Sequence, residues 1–314
     1  MSTRNASLAA AGGLRTLAPA KINLALEVIR RRDDGYHDVD TVITTIDLAD
    51  RVTVRPAPPG AGLSVRLDGP FTRGIDPADE LAGRAARALA AAAARAPDLA
   101  ISVEKRIPSP TGLGGGSSDA AAVLRALAAL WGLHWPPARL AEVATTLGSD
   151  VPFFLTGGVA HCTGRGERVE ALPDLRPLRL LVLVPPLPPA ANKTARRYGA
   201  LHAHDLTDGA RARRLAHRLA RHAPPPTVDL VNAFESVIER SDPELVAHYA
   251  EYAAAAGGTP RFHLSGSGPA VYLFVYEDAK LSDLRRDFER AGALVFDART
   301  LGRAAAVRVE AAGA

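Results

Sequence analysis

The residue types best suited to binding phosphate are concentrated in one glycine-rich loop, residues 108–118. The loop reads Pro108, Ser109, Pro110, Thr111, Gly112, Leu113, Gly114, Gly115, Gly116, Ser117 and Ser118. Because glycine has no Cβ, backbone N–H groups in such a segment can turn toward one point. A helix pattern over residues 120–130 follows, and a helix N-terminus adds free N–H donors and the positive end of a dipole. The stretch therefore predicts a phosphate site, with Ser117 and Ser118 offering hydroxyls to phosphate or to a metal ion.

The glycine-rich loop does not match the two best-known nucleotide motifs. A Walker A loop has Gly-Lys followed by Ser or Thr, and no lysine follows these glycines. A dinucleotide-binding turn has the spacing G-x-G-x-x-G and an acidic residue about twenty positions later, and the four glycines do not keep that spacing. The alternative is a flexible turn capped by Ser118 or Asp119. The strand pattern before the loop and the helix pattern after it favour phosphate binding.

Other residues that could act in group transfer lie far from this loop in the chain. Lys21 and Asn23 share one face of a strand predicted over residues 17–28, and that face is either a solvent face or part of a site. Asp150 comes just after a helix predicted over Pro137–Leu147, where the helix dipole disfavours negative charge. It is either a turn residue bound to nearby backbone or a carboxylate held as a general base.

An Asp-Gly turn at Asp34 and Gly35 is followed by two rings, Tyr36 and His37. Rings at a loop tip can stack on the ring of a ligand, or they can be ordinary loop residues. The sequence around them leaves both interpretations open.

The elements that position these residues must come from a chain of 314 residues that is 47% hydrophobic, enough for a sizeable core. No apolar run reaches the ~18 residues of a membrane helix. The net charge is only +4, and no dense block of basic residues with interleaved aromatics indicates nucleic-acid binding. The single cysteine, Cys162, cannot form an internal disulfide, so we expect a reducing compartment, the cytoplasm.

The order of strand and helix patterns predicts an α+β protein of two domains. Residues 1–16 are small and polar and lack a secretory core, so we expect a disordered tail. A proline-rich break near residues 172–177 divides the remainder into an N-terminal domain, residues 17–172, and a C-terminal domain, residues 173–314. A last strand is predicted over residues 305–309.

Several separated stretches together resemble the GHMP kinase superfamily, from residue 17 to residue 310. They are Pro19-Ala20-Lys21-Ile22-Asn23-Leu24, Asp34-Gly35-Tyr36-His37, residues 108–121, Leu147-Gly148-Ser149-Asp150-Val151-Pro152-Phe153, Gly158 with Gly164-Arg165-Gly166-Glu167, and Ser265-Gly266-Ser267-Gly268-Pro269. The first two stretches point to the member of this superfamily that acts in non-mevalonate isoprenoid biosynthesis.

The resemblance implies a fold, a reaction and a set of functional residues. It implies an N-terminal domain like ribosomal protein S5 domain 2, a ferredoxin-like C-terminal domain and an active site in the cleft between them. It implies ATP bound by residues 108–118, a catalytic pair of Lys21 and Asp150, and Mg²⁺ bridging the phosphates. It places Asn23, Tyr36 and His37 near the cytidine or erythritol parts of a cytidine diphosphate-linked substrate. Whether the chain forms a homodimer is left open.

The chain departs from the family pattern at three places. Thr111 stands where Ala is usual, and we expect the small hydroxyl to be tolerated. Asn192-Lys193-Thr194 stand where a Ser-Thr pair is usual before an aromatic residue, here Tyr198, and Ala233 stands where an acid is usual. Substrate contacts from residues 192–198 are therefore in doubt. Two alternatives remain at this point: a GHMP-type kinase acting on another small alcohol, or a non-catalytic ATP-binding protein on the same fold.

Overall fold

The computed structural model of the chain describes residues 12–73, 75, 80–188, 192–223, 229–258 and 262–312. Its strands are β1 (Leu14–Arg31), β2 (His37–Pro56), β3 (Leu63–Asp68), β4 (Leu99–Glu104), β5 (Val159–Gly164), β6 (Arg168–Leu172), β7 (Arg179–Val184), β8 (Val231–Asn232), β9 (His263–Leu264), β10 (Val271–Phe274), β11 (Leu294–Arg299) and β12 (Val309–Ala311). Its helices are α1 (Leu81–Ala92), α2 (Gly115–Leu130), α3 (Pro137–Leu147), α4 (Val151–Thr156), α5 (Lys193–Gly199), α6 (Ala210–Ala220), α7 (Phe234–Ser241), α8 (Pro243–Ala255), α9 (Asp278–Arg290) and α10 (Arg303–Ala306).

A sheet of eight strands forms the larger layer, in the order β12-β1-β2-β4-β3, with β5 on β2, β6 on β5 and β8 on β1. Its longest strands are the antiparallel pair β1 and β2, of 18 and 20 residues. The register of this pair shifts between Pro19 and Lys21 and again between Asn23 and Ala25. Such bulges change the direction in which side chains point. Here they flank Lys21 and Asn23, the two polar residues of an otherwise apolar stretch.

The second sheet has four antiparallel strands in the order β11-β7-β10-β9. When these four strands are numbered by their order in the chain, their order in the sheet is 4-1-3-2. Helices α5 to α8 lie between β7 and β9 in the chain, and α9 lies between β10 and β11. The predicted α+β class is confirmed. The division into domains at residue 172 stays a prediction, and two strands from beyond it, β8 and β12, pair with β1.

Two details of the sequence prediction are wrong. The strand expected over residues 305–309 is the short helix α10 followed by β12, because three consecutive alanines favour helix over strand. Most of the predicted tail, residues 1–11, lies outside the described residues, but Leu14, Arg15 and Thr16 already belong to β1 and pair with β2.

The core is continuous across the layers. One cluster of buried apolar residues packs α1 and α2 on the large sheet, where small alanines of both helices allow a close approach. A second cluster joins Ile22 and Leu24 of β1 to Val182 of β7 and Tyr272 of β10, so it fixes one sheet against the other. None of the helices among the described residues has the length and apolar character needed to cross a membrane.

Candidate active site

The residues predicted for the site surround one cavity of about 590 Å³, lined from both sides of the predicted domain boundary. The predicted residues that line it are Lys21, Asn23, Tyr36, His37, Pro108, Ser109, Pro110, Thr111, Gly112, Gly114, Gly115, Gly116, Ser117 and Asp150. Leu113 and Ser118 do not line it, because both side chains are fully buried below the loop. Sequence reasoning placed no functional role on several further lining residues: Arg165, Lys193, Thr194, Tyr198, Phe234, Gly266 and Ser267.

The glycine-rich loop takes a shape that only glycine allows at two of its positions. Gly112 has φ +90°, and a Cβ there would lie 2.1 Å from the carbonyl oxygen of Ser265. Gly114 has φ +76° and caps α2, and a Cβ there would lie 2.7 Å from the ring of Phe154. Helix α2 begins at Gly115, five residues earlier than the apolar pattern predicts, so its free N–H groups face the cavity from within the loop.

A buried charge cluster, which sequence reasoning did not predict, supports the loop from behind. Lys105 is 1% exposed, and its Nζ contacts the carboxylates of Asp50, at 2.5 Å, and Asp119. Burial lowers the pKa of Lys105, but the two carboxylates outweigh that effect and raise it. Burial also raises the pKa of Asp119 well above its usual range. Asp50 further accepts the N–H groups of Arg106 and Ile107, so the cluster ties β4 and the loop start to α2.

Lys21 projects from β1 into the cavity and is held in place by Asn23. Its side chain is 3% exposed, and Nζ donates to Asn23 Oδ1 at 2.5 Å. That oxygen also accepts the N–H of Gly266 at 2.8 Å, while the amide nitrogen donates to Thr41 Oγ1 at 2.9 Å. Burial lowers the pKa of Lys21, and the charge of Asp150 opposes that shift. Within the described part of the chain, Lys21 forms no direct ion pair with Asp150, although both line the cavity.

Asp150 caps the N-terminus of the six-residue helix α4. The sequence interpretation placed it just past a helix C-terminus, and α3 does end at Leu147. It missed that Asp150 also begins α4, because α4 is too short to show a periodic pattern. At the observed position the dipole of the following helix favours a carboxylate. The carboxylate has no hydrogen-bond partner among the described residues and lines the cavity. It is therefore free to accept a proton from a bound molecule.

Aromatic rings form the far end of the cavity. His37 stacks on Tyr198 with ring centroids 4.9 Å apart, and Tyr198 meets Phe234 edge-on at 4.8 Å. The Arg165 guanidinium lies 4.6 Å from the centroid of the Tyr36 ring, which is itself 54% exposed. Burial lowers the pKa of His37, so the neutral imidazole is favoured. The motif around Arg165 was visible in the sequence, but only the fold shows that Tyr198 reaches His37 and that Phe234 reaches Tyr198.

The comparisons with known proteins agree with this geometry. Residues 80–158 match the family model described as GHMP kinases N terminal domain. A curated 4-diphosphocytidyl-2-C-methyl-D-erythritol kinase from Dehalococcoides mccartyi is 33% identical over 92% of this chain and 99% of its own length. A kinase of the same name from Pelotomaculum thermopropionicum is 40% identical over 82% of this chain and 88% of its own.

Solved structures give the same result. A crystal structure of 4-(cytidine 5'-diphospho)-2C-methyl-D-erythritol kinase has a TM-score of 0.72 at 35% identity, covering 92% of this chain and 100% of that one. A homoserine kinase from Cytophaga hutchinsonii has a TM-score of 0.69 at 13% identity, covering 95% and 98%, and shares the fold. The predicted GHMP kinase fold is confirmed, and the chain belongs to the GHMP kinase superfamily and, within it, to the family of 4-diphosphocytidyl-2-C-methyl-D-erythritol kinases.

Proposed function

We propose that this chain transfers the γ-phosphoryl group of ATP to the 2-hydroxyl of 4-diphosphocytidyl-2-C-methyl-D-erythritol, as a cytoplasmic enzyme of non-mevalonate isoprenoid biosynthesis. One observation carries the proposal. A single cavity is lined by a buried lysine, a carboxylate with no hydrogen-bond partner among the described residues, a glycine-rich loop at a helix N-terminus and a group of aromatic rings. These are the parts needed to bind ATP, to hold a ring-bearing acceptor and to move a proton between them.

The glycine-rich loop and the first turn of α2 are assigned to the phosphates of ATP. Gly114, Gly115 and Gly116 line the cavity at the N-terminus of a 16-residue helix, where free N–H groups and the dipole favour anions. Because no lysine lies among these glycines, a cation must come from elsewhere in the fold. Lys21 lies next to the loop, and its backbone N–H donates to the carbonyl of Leu113 at 2.9 Å.

The transfer step is assigned to Asp150 and Lys21. Asp150 accepts the proton of the acceptor hydroxyl while the hydroxyl oxygen forms a bond to the γ-phosphorus. The bond from the γ-phosphorus to the bridging oxygen breaks, and ADP leaves with the electron pair. The positive charge of Lys21 stabilises negative charge that develops on the transferred group.

The cytidine part of the acceptor is assigned to the aromatic end of the cavity. Tyr36 presents an exposed ring face, and the stacked pair of His37 and Tyr198 provides a second apolar surface. A flat, uncharged pyrimidine fits such a setting better than a small aliphatic alcohol does. Asn23 is also assigned to the substrate site. After its contacts to the protein, one of its amide hydrogens is free to bind a ligand.

Mg²⁺ fits the oxygen donors that line the cavity. Ser117 offers a hydroxyl oxygen, a ligand type that this hard cation takes together with phosphate oxygens and water. Ser118, the other serine considered, points away from the cavity, and its buried Oγ has no partner within the described residues. A bound Mg²⁺ would neutralise phosphate charge, and its removal with a chelator is expected to stop turnover.

An acceptor screen tests the proposal. ADP release and the ³¹P spectrum of the product are measured with the cytidine diphosphate-linked alcohol, with the same alcohol lacking the cytidine diphosphate, and with homoserine, mevalonate and galactose. We expect kcat/KM for the cytidine-linked acceptor to exceed the others by roughly 100-fold or more. Equal use of another alcohol would assign a different acceptor, and no ADP release with any acceptor would make the chain a non-catalytic ATP-binding protein.

A further inference from the structure

Lys193, the first residue of α5, reaches from the C-terminal half of the chain to both glycine loops. Its Nζ donates to the carbonyl oxygen of Gly268, in the second glycine loop (residues 265–269), and to that of Pro110 at 3.2 Å. The same helix carries Thr194 and Tyr198 into the cavity. Lys193 therefore sits where the loop assigned to ATP meets the helix that carries one of the rings assigned to the acceptor.

The charge of Lys193 has no counter-charge from the part of the protein that the structure describes. Within the described residues no carboxylate pairs with it, and the charged groups that act on it are two cations, Arg197 on the same helix and Lys21 on β1. Burial first, and then repulsion by these two cations, lowers the pKa of Lys193 to about 7. A partly buried ammonium is costly when its partners are neutral carbonyls, as those of Lys193 among the described residues are. An anion that enters the cavity would remove that cost.

We propose that Lys193 binds a phosphate group of a bound substrate and holds it at the transfer point. This inference rests on the proposed function, because it takes the ligands of the cavity to be phosphate esters. Two sources offer the required charge, the triphosphate of ATP and the diphosphate of the acceptor. The position lies in one of the three segments where this chain departs from the family pattern, so the contact would be a feature of this chain.

Binding measurements on phosphate-bearing ligands and their nucleosides test the role of Lys193. Dissociation constants are measured by calorimetry for ADP and adenosine, and for the cytidine diphosphate-linked acceptor and cytidine, with wild type, Lys193→Met and Lys193→Arg. We expect Lys193→Met to weaken binding of ADP, of the acceptor or of both by about 10-fold or more, and to leave the nucleosides unchanged. Lys193→Arg keeps the charge and should retain most of the affinity. Lys280→Met, which removes an exposed lysine paired with Glu277, is the matched control.

The pattern of losses identifies the source of the phosphate. A loss for ADP assigns Lys193 to the donor, and a loss for the acceptor assigns it to the acceptor diphosphate. From about pH 7 to about pH 9 the wild-type affinity should fall as Lys193 loses its proton, whereas that of Lys193→Arg should not. If Lys193 only held the two glycine loops together, the affinities of wild type and Lys193→Arg would show the same pH dependence.

Two results would overturn this assignment. One is that no phosphate-bearing ligand loses affinity in Lys193→Met, and the other is that the nucleosides lose it equally. If Lys193→Met does not fold, Lys193→Gln retains a donor for the two carbonyls without the charge and serves in its place. The ADP measurement needs no turnover, so a failed acceptor screen would reject the proposed reaction and leave the result for Lys193 standing.

Discussion

Asn23 accepts the hydrogen bond of the Lys21 ammonium on its amide oxygen, with the nitrogen and the oxygen 2.5 Å apart. The same oxygen accepts the N–H of Gly266, and the amide nitrogen donates to Thr41. An amide side chain has about four hydrogen-bonding positions, so three of them are already used within the protein. The first function of Asn23 is therefore to fix Lys21 relative to the second glycine loop, and any contact with substrate comes second.

Asn23→Ala should lower kcat by about 10-fold to 100-fold, because Lys21 loses the group that orients it and misplacement by an ångström is costly in a positioned site. The KM for ATP should change little. Steady-state kinetics with each substrate varied in turn measures both effects. The control is Thr41→Val, which removes the outer hydrogen bond of Asn23 and the bond from the Thr41 hydroxyl to the Ala25 carbonyl, leaves the contact of Asn23 with Lys21 in place, and should have a smaller effect. A higher acceptor KM with an unchanged kcat would instead make Asn23 a substrate contact.

Gly112→Ala should raise the KM for ATP by about 10-fold or more, because a Cβ there would lie 2.1 Å from the Ser265 carbonyl and push the loop out of shape. The variant Gly60→Ala separates the effect of this clash from the effect of backbone strain. Gly60 also has a positive φ, +81°, but a Cβ added there would enter open space. Gly60→Ala should therefore cost about 1–2 kcal/mol of stability and leave the KM for ATP unchanged. Equal effects of the two variants on KM would show that the close approach to Ser265 is unimportant.

The sequence was sufficient to predict the glycine-rich loop and to select Lys21 and Asp150, because each lies in a short segment with a local pattern. It was insufficient for contacts that depend on distant chain segments. Asn23 meets Gly266 across 243 positions of sequence, and no pattern near either residue indicates this. The same holds for the stacking of His37 on Tyr198. Helix α4 was missed because six residues are too few for a helical period to show.

Lys105→Met should destabilise the folded protein by about 3–5 kcal/mol, because it leaves the buried carboxylates of Asp50 and Asp119 without their cation. Denaturant titration of the free energy of unfolding measures the loss. Lys280→Met again serves as the control, since an exposed ion pair contributes about 0–1 kcal/mol. Wild-type stability of Lys105→Met would mean that the cluster does not hold the loop.

The most direct test of the central claim is the turnover of Asp150→Asn, because the amide keeps the size of the side chain and cannot accept the proton. We expect kcat to fall by about 10²–10⁴-fold, while the dissociation constant for ADP, measured by calorimetry, stays at the wild-type value. Near-normal kcat in Asp150→Asn would contradict the assignment of Asp150 as the base and, with it, this mechanism of transfer.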